Sequence, residues 1–202
     1  MKEVLPGVFT WAWPSPEKKL DFNGWYLKAA DGHAIVDPPP CEESVFAAIE
    51  EMGELKAILL TNKDHTRRAE EFAERLRVPI LIHSADAPLV SSSVRIGGLF
   101  RHGDELPGGL EAVRVADAKS PGECAFLLRR ANAIIIGDAL IGNPAGQLTM
   151  LPPAKFPDFD KAREGVRAIL KLPFDGVLVG DGTPIPRGGR KALEEFLNRS
   201  AR

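Results

Sequence analysis

Four short apolar runs in this chain each break off at a polar loop that carries an aspartate. Ile35-Val36 precedes Asp37, Ile58-Leu59-Leu60 precedes a loop holding Asp64, Ala133-Ile134-Ile135-Ile136-Gly137 precedes Asp138, and Val177-Leu178-Val179-Gly180 precedes Asp181. Runs of this length without polar alternation read as buried strands. The pattern around them predicts strands over 4–13, 25–29 and 33–36, the last two joined at the turn-prone Asp31-Gly32. A helix over 42–52 follows, then a strand over 56–60, a helix over 67–77 with Ala69, Phe72, Ala73 and Leu76 on one face, and a strand over 79–82. The second half predicts strands over 110–115, 123–128 and 133–136, a helix over 159–170, a strand over 176–179 and a helix over 191–198. Two β-rich halves, each finishing with strand and helix, fit two sheets packed face to face with helices outside, an α/β sandwich of four layers. Loops at the strand ends then converge on one edge, and chemistry is expected there.

Bulk properties narrow the function classes. The chain has 26 Lys and Arg against 28 Asp and Glu, so its net charge of -2 gives no electrostatic reason to expect nucleic acid or an anionic membrane as partner. The opening segment has no apolar run long enough for a signal peptide or a membrane span, and a soluble cytoplasmic protein is expected. Two cysteines, Cys41 and Cys124, without metal-ligand spacing read as buried or free thiols rather than a disulfide framework. Neither a repeat nor a long linker interrupts the chain, so residues 1–202 are expected to form a single domain. A Gly-x-Ser-x-Gly elbow, a Walker loop and a dinucleotide fingerprint are all missing, which weakens serine-hydrolase and nucleotide-binding readings.

The loop signals occur in a telling order: Ile35-Val36-Asp37-Pro38, Leu59-Leu60-Thr61-Asn62-Lys63-Asp64-His65-Thr66-Arg67, Ser120-Pro121-Gly122-Glu123, Ile136-Gly137-Asp138 and Val179-Gly180-Asp181-Gly182. Taken together, and over nearly the whole chain, they resemble the metallo-β-lactamase superfamily. The resemblance implies an αββα sandwich, a metal site at one edge, and hydrolysis of a small ester, thioester, lactone or phosphoester. In that family the second segment reads Thr-His-x-His-x-Asp-His, the third has a histidine just before its Ser/Thr-Pro-Gly turn, and the last is Gly-His-Gly. Here the ligand positions hold Asn62, Asp64, Thr66, Arg67, Lys119, Asp138 and Asp181. Only Asp138, which bridges two metals in the family, keeps its type.

Zinc and iron sites depend on imidazole and carboxylate lone pairs, whereas Lys and Arg offer only protons and repel a cation. Lys119 and Arg67 among Asp64, Asp138 and Asp181 therefore read as a salt-bridge network in place of a metal cluster, with no cofactor expected. The alternative is an oxygen-rich site in which Asn62, Asp64, Asp138 and Asp181 bind Mg²⁺, Mn²⁺ or Ca²⁺, with His65 joining.

Each residue also has a plainer reading. Asp64 and Thr66 precede a helical pattern and are candidate caps for it. Asp37, Asp138 and Asp181 end strands and fit simple turns, though the resemblance gives Asp37 a supporting role beneath the loop 61–67. His65 lies between ligand positions, where the family register directs its side chain away from a metal; its near-neutral pKa still makes it the best proton-transfer candidate. His33, His83 and His102 fit no ligand spacing. Arg187 and Arg190 form a basic cluster that would clamp a carboxylate or phosphate, or else decorate a solvated helix start. Trp11, Trp13, Trp25 and Tyr26 line a substrate groove or fill the core.

The reading is a hydrolase-like protein with a metal-free polar site that acts on or binds a small anionic molecule. In a metal-free hydrolase Asp64, Asp138 or His65 serves as the base, and Lys119 and Arg67 stabilise the oxyanion. A metal-dependent hydrolase with a carboxylate-rich site, a non-catalytic binding module and a structural role in a homo-oligomer remain as alternatives.

Overall fold

A computed structural model describes residues 1–199. The first sheet has seven strands in sequence order: β1 (Lys2–Leu5), β2 (Val8–Ser15), β3 (Leu20–Leu27), β4 (His33–Val36), β5 (Leu55–Leu59), β6 (Ile80–His83) and β7 (Ile96–Phe100). Helix α1 (Glu43–Glu51) connects β4 to β5, and α2 (Ala69–Leu76) connects β5 to β6, so these crossovers run parallel. The second sheet contains β8 (Glu105–Leu106), β9 (Leu110–Arg114), β10 (Cys124–Leu128), β11 (Ala133–Ile136) and β12 (Gly176–Val179), in the spatial order β12-β11-β10-β9-β8. Helix α3 (Phe159–Ala168) carries the chain from β11 to a parallel β12, and α4 (Gly189–Arg199) follows.

The apolar runs sort by alternation into three cores. Leu27, Val36, Leu59, Phe126, Ile135 and Leu178 meet between the two sheets. Their chain neighbours Tyr26, Ile35 and Ile58 face α1 and α2 with Phe46 and Phe72. On the far side Ile134, Ile136, Val177 and Val179 pack against α3 and α4 through Val166, Leu193 and Leu197. A run such as Ala133–Ile136 is apolar throughout because one face meets a sheet and the other meets helices. The result is the αββα order of layers.

Several details differ from the sequence expectation. The strand expected over 4–13 is two strands, since Pro6-Gly7 forms a turn with Gly7 at φ 71°. Strands β7 and β8 were not signalled: Gly97 and Gly98 dilute the apolar pattern of the first, and the second is only two residues long. Trp25 and Tyr26 are fully buried, and Trp11 stacks on Phe72, so these aromatics are core rather than groove; Trp13 alone is well exposed. Cys41 and Cys124 are both free thiols.

Phe126 sits at the centre of the inter-sheet core, edge-on to Phe100 at 5.6 Å. Replacing it with alanine should cost about 3–5 kcal/mol in urea denaturation, whereas Leu99→Ala, at a side chain 61% exposed, should stay within about 0.5 kcal/mol.

Candidate functional site

The carboxyl ends of β4, β5, β11 and β12 bring Asp37, the loop 61–67, Asp138 and Asp181 to one edge of the sandwich. Asp37 is fully buried. Its Oδ1 accepts from the Thr61 N–H at 2.9 Å and its Oδ2 accepts from the Thr61 hydroxyl at 2.6 Å. The same Oδ2 lies 2.7 Å from Nδ1 of His65, whose Nε2 is 3.4 Å from Oδ1 of Asp138. His65 therefore stands between two carboxylates in the interior of the site and turns its Nε2 toward the ligand position Asp138, which corrects the expectation that its side chain is directed away from a metal. Room for the ring exists because residue 180 is glycine: a Cβ there would come within 2.8 Å of His65 Cε1.

The second cluster centres on Lys119. Its ammonium donates to Asp138 Oδ2 at 2.6 Å and is 2.9 Å from Asp64 Oδ2, while Lys63 holds the other oxygen of Asp64 at 2.8 Å. Asp86, just beyond β6, places these groups: its buried carboxylate accepts from the Lys63 N–H at 2.8 Å, the Ser120 hydroxyl at 2.5 Å and the Gly122 N–H at 2.6 Å. The loops carrying Asp64 and Lys119 are thus tied to one anchor. Nothing in the apolar patterning marked Asp86, although it too is an aspartate after a buried strand.

Arg67 forms the third cluster. Its guanidinium pairs with Asp181, donates to the carbonyls of Asn23 at 3.2 Å and of Asp37 and Gly180 at 3.4 Å, and lies over the Phe22 ring at 4.4 Å. Asp37 and Arg67 both adopt left-handed backbone, φ 47° and 34°, a conformation non-glycine residues take only where surrounding contacts hold them. Asn62 spends its side-chain oxygen on the Asp64 N–H at 2.9 Å, closing its own loop. Neither Asp64 nor Thr66 caps α2: its N-cap is Arg68, and Thr66 contributes only its carbonyl to the helix start.

Electrostatics follow from this packing. Burial and Arg67 press the His65 pKa down, but Asp37 and Asp138 prevail and raise it to about 10, so the ring is a cation at neutral pH. Burial likewise opposes ionisation of Asp138, yet hydrogen bonds from His65 and Lys119 hold its carboxyl below the usual carboxylate range. Lys119 is shifted up in turn by Asp138 and Asp64 against its own burial. Asp37, Asp64, Asp138 and Asp181 thereby face Lys63, His65, Arg67 and Lys119, four charges against four. Behind them Glu123 is fully buried, and desolvation together with the Asp138 charge raises its pKa well above normal. Its Oε1 accepts from the Ala139 N–H at 3.2 Å, and its Oε2 has no hydrogen-bond partner among the described residues. This buried carboxyl, inside the motif 120–123, was not among the residues singled out from sequence.

The expected clamp of Arg187 and Arg190 is not at this edge. Ile185 pairs with Val177, which turns the chain back to the opposite end of β12. There Arg190 donates to the carbonyls of Leu172 at 2.9 Å and Leu170 at 2.6 Å, and Arg187 is exposed. His33, His83 and His102 accept backbone N–H bonds from Ala29, Ala85 and Arg114, respectively, and serve local turns.

Residues 1–199 match the metallo-beta-lactamase superfamily. The chain belongs to this superfamily. Relatives and solved structures agree with the match. The probable metallo-hydrolase YflN of Bacillus subtilis (strain 168) is 25% identical, with 72% of each chain covered. A metallo-beta-lactamase from Pontibacter korlensis superposes with a TM-score of 0.77 at 14% identity, covering 98% of this chain and 97% of that one. TTHA1623, solved in a di-iron-bound form, gives 0.71 at 22% identity over 91% of this chain and 96% of its own. Metallo-β-lactamase proteins usually bind metals. Among the described residues, His65, Asp138 and Asp181 offer ligand atoms that all lie within 4.8 Å of one another. Each of the three already faces an ionic partner.

His65 makes the fold sensitive to alkali. Its folded pKa lies above the unfolded value, so its contribution is complete below pH 6.5 and lost as pH rises toward 10. Between pH 6.5 and about 9, where the buried thiols begin to add to the effect, unfolding free energy should fall by at most about 1.4 kcal/mol per pH unit. His65→Gln should flatten that slope in denaturation curves taken across this range.

Proposed function

We propose that this protein is a hydrolase-like member of its superfamily whose edge site works without a metal and binds a small anionic molecule. The observation that carries the reading is Lys119, whose ammonium lies 2.6 Å from Asp138 and 2.9 Å from Asp64 at a position where the family places a ligand. A metal bound to Asp138 and Asp181 would have to displace both Lys119 and Arg67. Neither cation surrenders its proton near neutrality: Arg stays protonated in proteins, and the Lys119 pKa is shifted further up by its carboxylates. As the chain stands, the donor set does not fit a metal cluster.

A cleft of about 400 Å³ adjoins the network at Gly182 and is lined by Ser15, Lys19, Asp21, Asn143 and Thr183. Lys19 is exposed on the tip of the β2–β3 hairpin, and the neighbouring Lys18 is within electrostatic reach of Asp181 and Lys119. With the cations of the network already paired and Lys18 itself held by Glu17 at 2.8 Å, Lys19 is the group that favours an anion in the cleft, against Asp21 in the same lining. Binding is better supported than turnover, because His65 is already protonated and the carboxylates are ion-paired. A metal-independent hydrolysis remains as a second reading on one observation: Asp64, the most exposed carboxylate of the network at 36%, sits beside the ammonium of Lys119. Asp64 would act as base and Lys119 would steady the developing oxyanion.

The test is calorimetric titration with small carboxylates and phosphoesters, together with a panel of activated esters, thioesters and phosphoesters before and after dialysis against chelator. Binding should survive the chelator and weaken roughly tenfold in Lys19→Ala, about 1.4 kcal/mol. Turnover that chelator abolishes and zinc restores would overturn the metal-free reading.

A further inference from the structure

We infer that the cleft beside Gly182 takes an amino-acid-type zwitterion, whose acid group meets Lys19 and whose ammonium meets Asp21. The inference rests on the anion-binding reading of the same cleft and deepens it, because it adds a cationic group to the ligand.

Three observations carry it. The cleft is lined by one cation, Lys19, and one carboxylate, Asp21. Charges close by are spent on each other: Arg67 on Asp181, Lys119 on Asp64 and Asp138, and Lys18 on Glu17. Among the described residues, Lys19 and Asp21 have neither an ion-pair nor a side-chain hydrogen-bond partner, and they are not paired with one another. The side chains of Asn143 and Thr183 in the same lining are also without a hydrogen bond among the described residues, and both can donate or accept.

Next, the backbone that carries these groups is fixed. Alternation along β3 puts Asp21 on the same face as Asn23, whose amide donates to the carbonyls of Val179 at 3.0 Å and Gly182 at 2.8 Å. The Asp21 carbonyl accepts from the Gly182 N–H at 2.8 Å, and the Thr183 N–H donates to the Gly142 carbonyl at 2.8 Å. The Lys19 N–H closes the hairpin tip on the Ser15 carbonyl at 2.8 Å. Both charges are therefore held on one hydrogen-bonded frame before a ligand arrives. The third observation is size and balance. The cleft of about 400 Å³ lies toward the lower end of small-molecule pockets, which run from about 300 to 1,000 Å³. A purely anionic ligand satisfies Lys19 and is repelled by Asp21, whereas a zwitterion meets both. Pro14, Pro16 and Leu20 supply an apolar wall for its side chain.

The experiment is calorimetric titration of wild-type protein with the common L-amino acids at millimolar concentration, each binder being compared with the 2-hydroxy acid and the amide of the same side chain. The free amino acid should bind, and losing either the ammonium or the carboxylate should weaken binding roughly tenfold, as the loss of one charge-assisted contact does. Asp21→Asn, with folding checked by circular dichroism, should weaken the amino acid by a similar factor and leave the 2-hydroxy acid unchanged. The ligand series needs only wild-type protein, so it decides the matter even should Asp21→Asn fail to fold. A 2-hydroxy acid that binds as tightly as its amino acid, or an amino-acid affinity indifferent to Asp21→Asn, overturns the zwitterion and leaves the anion reading in place. Binding of simple carboxylates or phosphoesters without binding of any amino acid does the same. Wild-type protein that binds none of these compounds overturns both the zwitterion and the anion reading on which it rests.

Discussion

The contact on which the edge of this molecule depends is the ammonium of Lys119 held between Asp64 and Asp138. Asp138 closes β11 in one sheet and Asp64 follows β5 in the other, so one side chain joins loops from both halves of the sandwich. Unpaired carboxylates there would repel one another in a site where Asp138 is only 6% exposed and Asp37 is fully buried. Lys119 and Arg67 supply the compensation from within the chain. Removing either would strand a buried or half-buried charge, which costs more than the pair itself contributes.

Around that contact the structure is arranged to keep the charges in place. Asp86 ties the Lys63 backbone to the turn 120–122 that follows Lys119, and Asp37 ties β4 to Thr61 and His65. Left-handed backbone occurs at Asp37, held by Thr61 and His65, and at Arg67, whose guanidinium is held by Asp181 and the carbonyls of Asn23, Asp37 and Gly180. Behind the network, burial and the Asp138 charge push the Glu123 carboxyl well above the usual carboxylate range. Pre-organisation of this kind suits a site that offers fixed charges to a ligand, with the hairpin tip and Lys19 on the open side.

The sheets were legible in the sequence because their strands are apolar on consecutive positions and stop at polar loops. Ala133–Ile136 and Gly176–Val179 coincide with β11 and β12 for this reason. The edge positions of Asp37, Asp64, Lys119, Asp138 and Asp181 followed from strand order and the resemblance together. Other features depend on contacts distant in sequence and left no local signal. Asp86 acts on residues 23 to 36 positions away, and the inward turn of His65 depends on a missing Cβ at Gly180. Arg187 and Arg190 misled because nearness in sequence to Asp181 hides a chain reversal at Ile185 that carries them to the other end of β12.

The central claim is that the chain's own cations stand where a metal would be held. Diffraction from wild-type crystals grown with zinc, recorded at the zinc absorption edge, tests it directly. The account predicts no anomalous peak among His65, Asp138 and Asp181, with the Lys119 ammonium in hydrogen-bond contact with both Asp64 and Asp138. A zinc peak at that position, with Lys119 swung out to solvent, would contradict it.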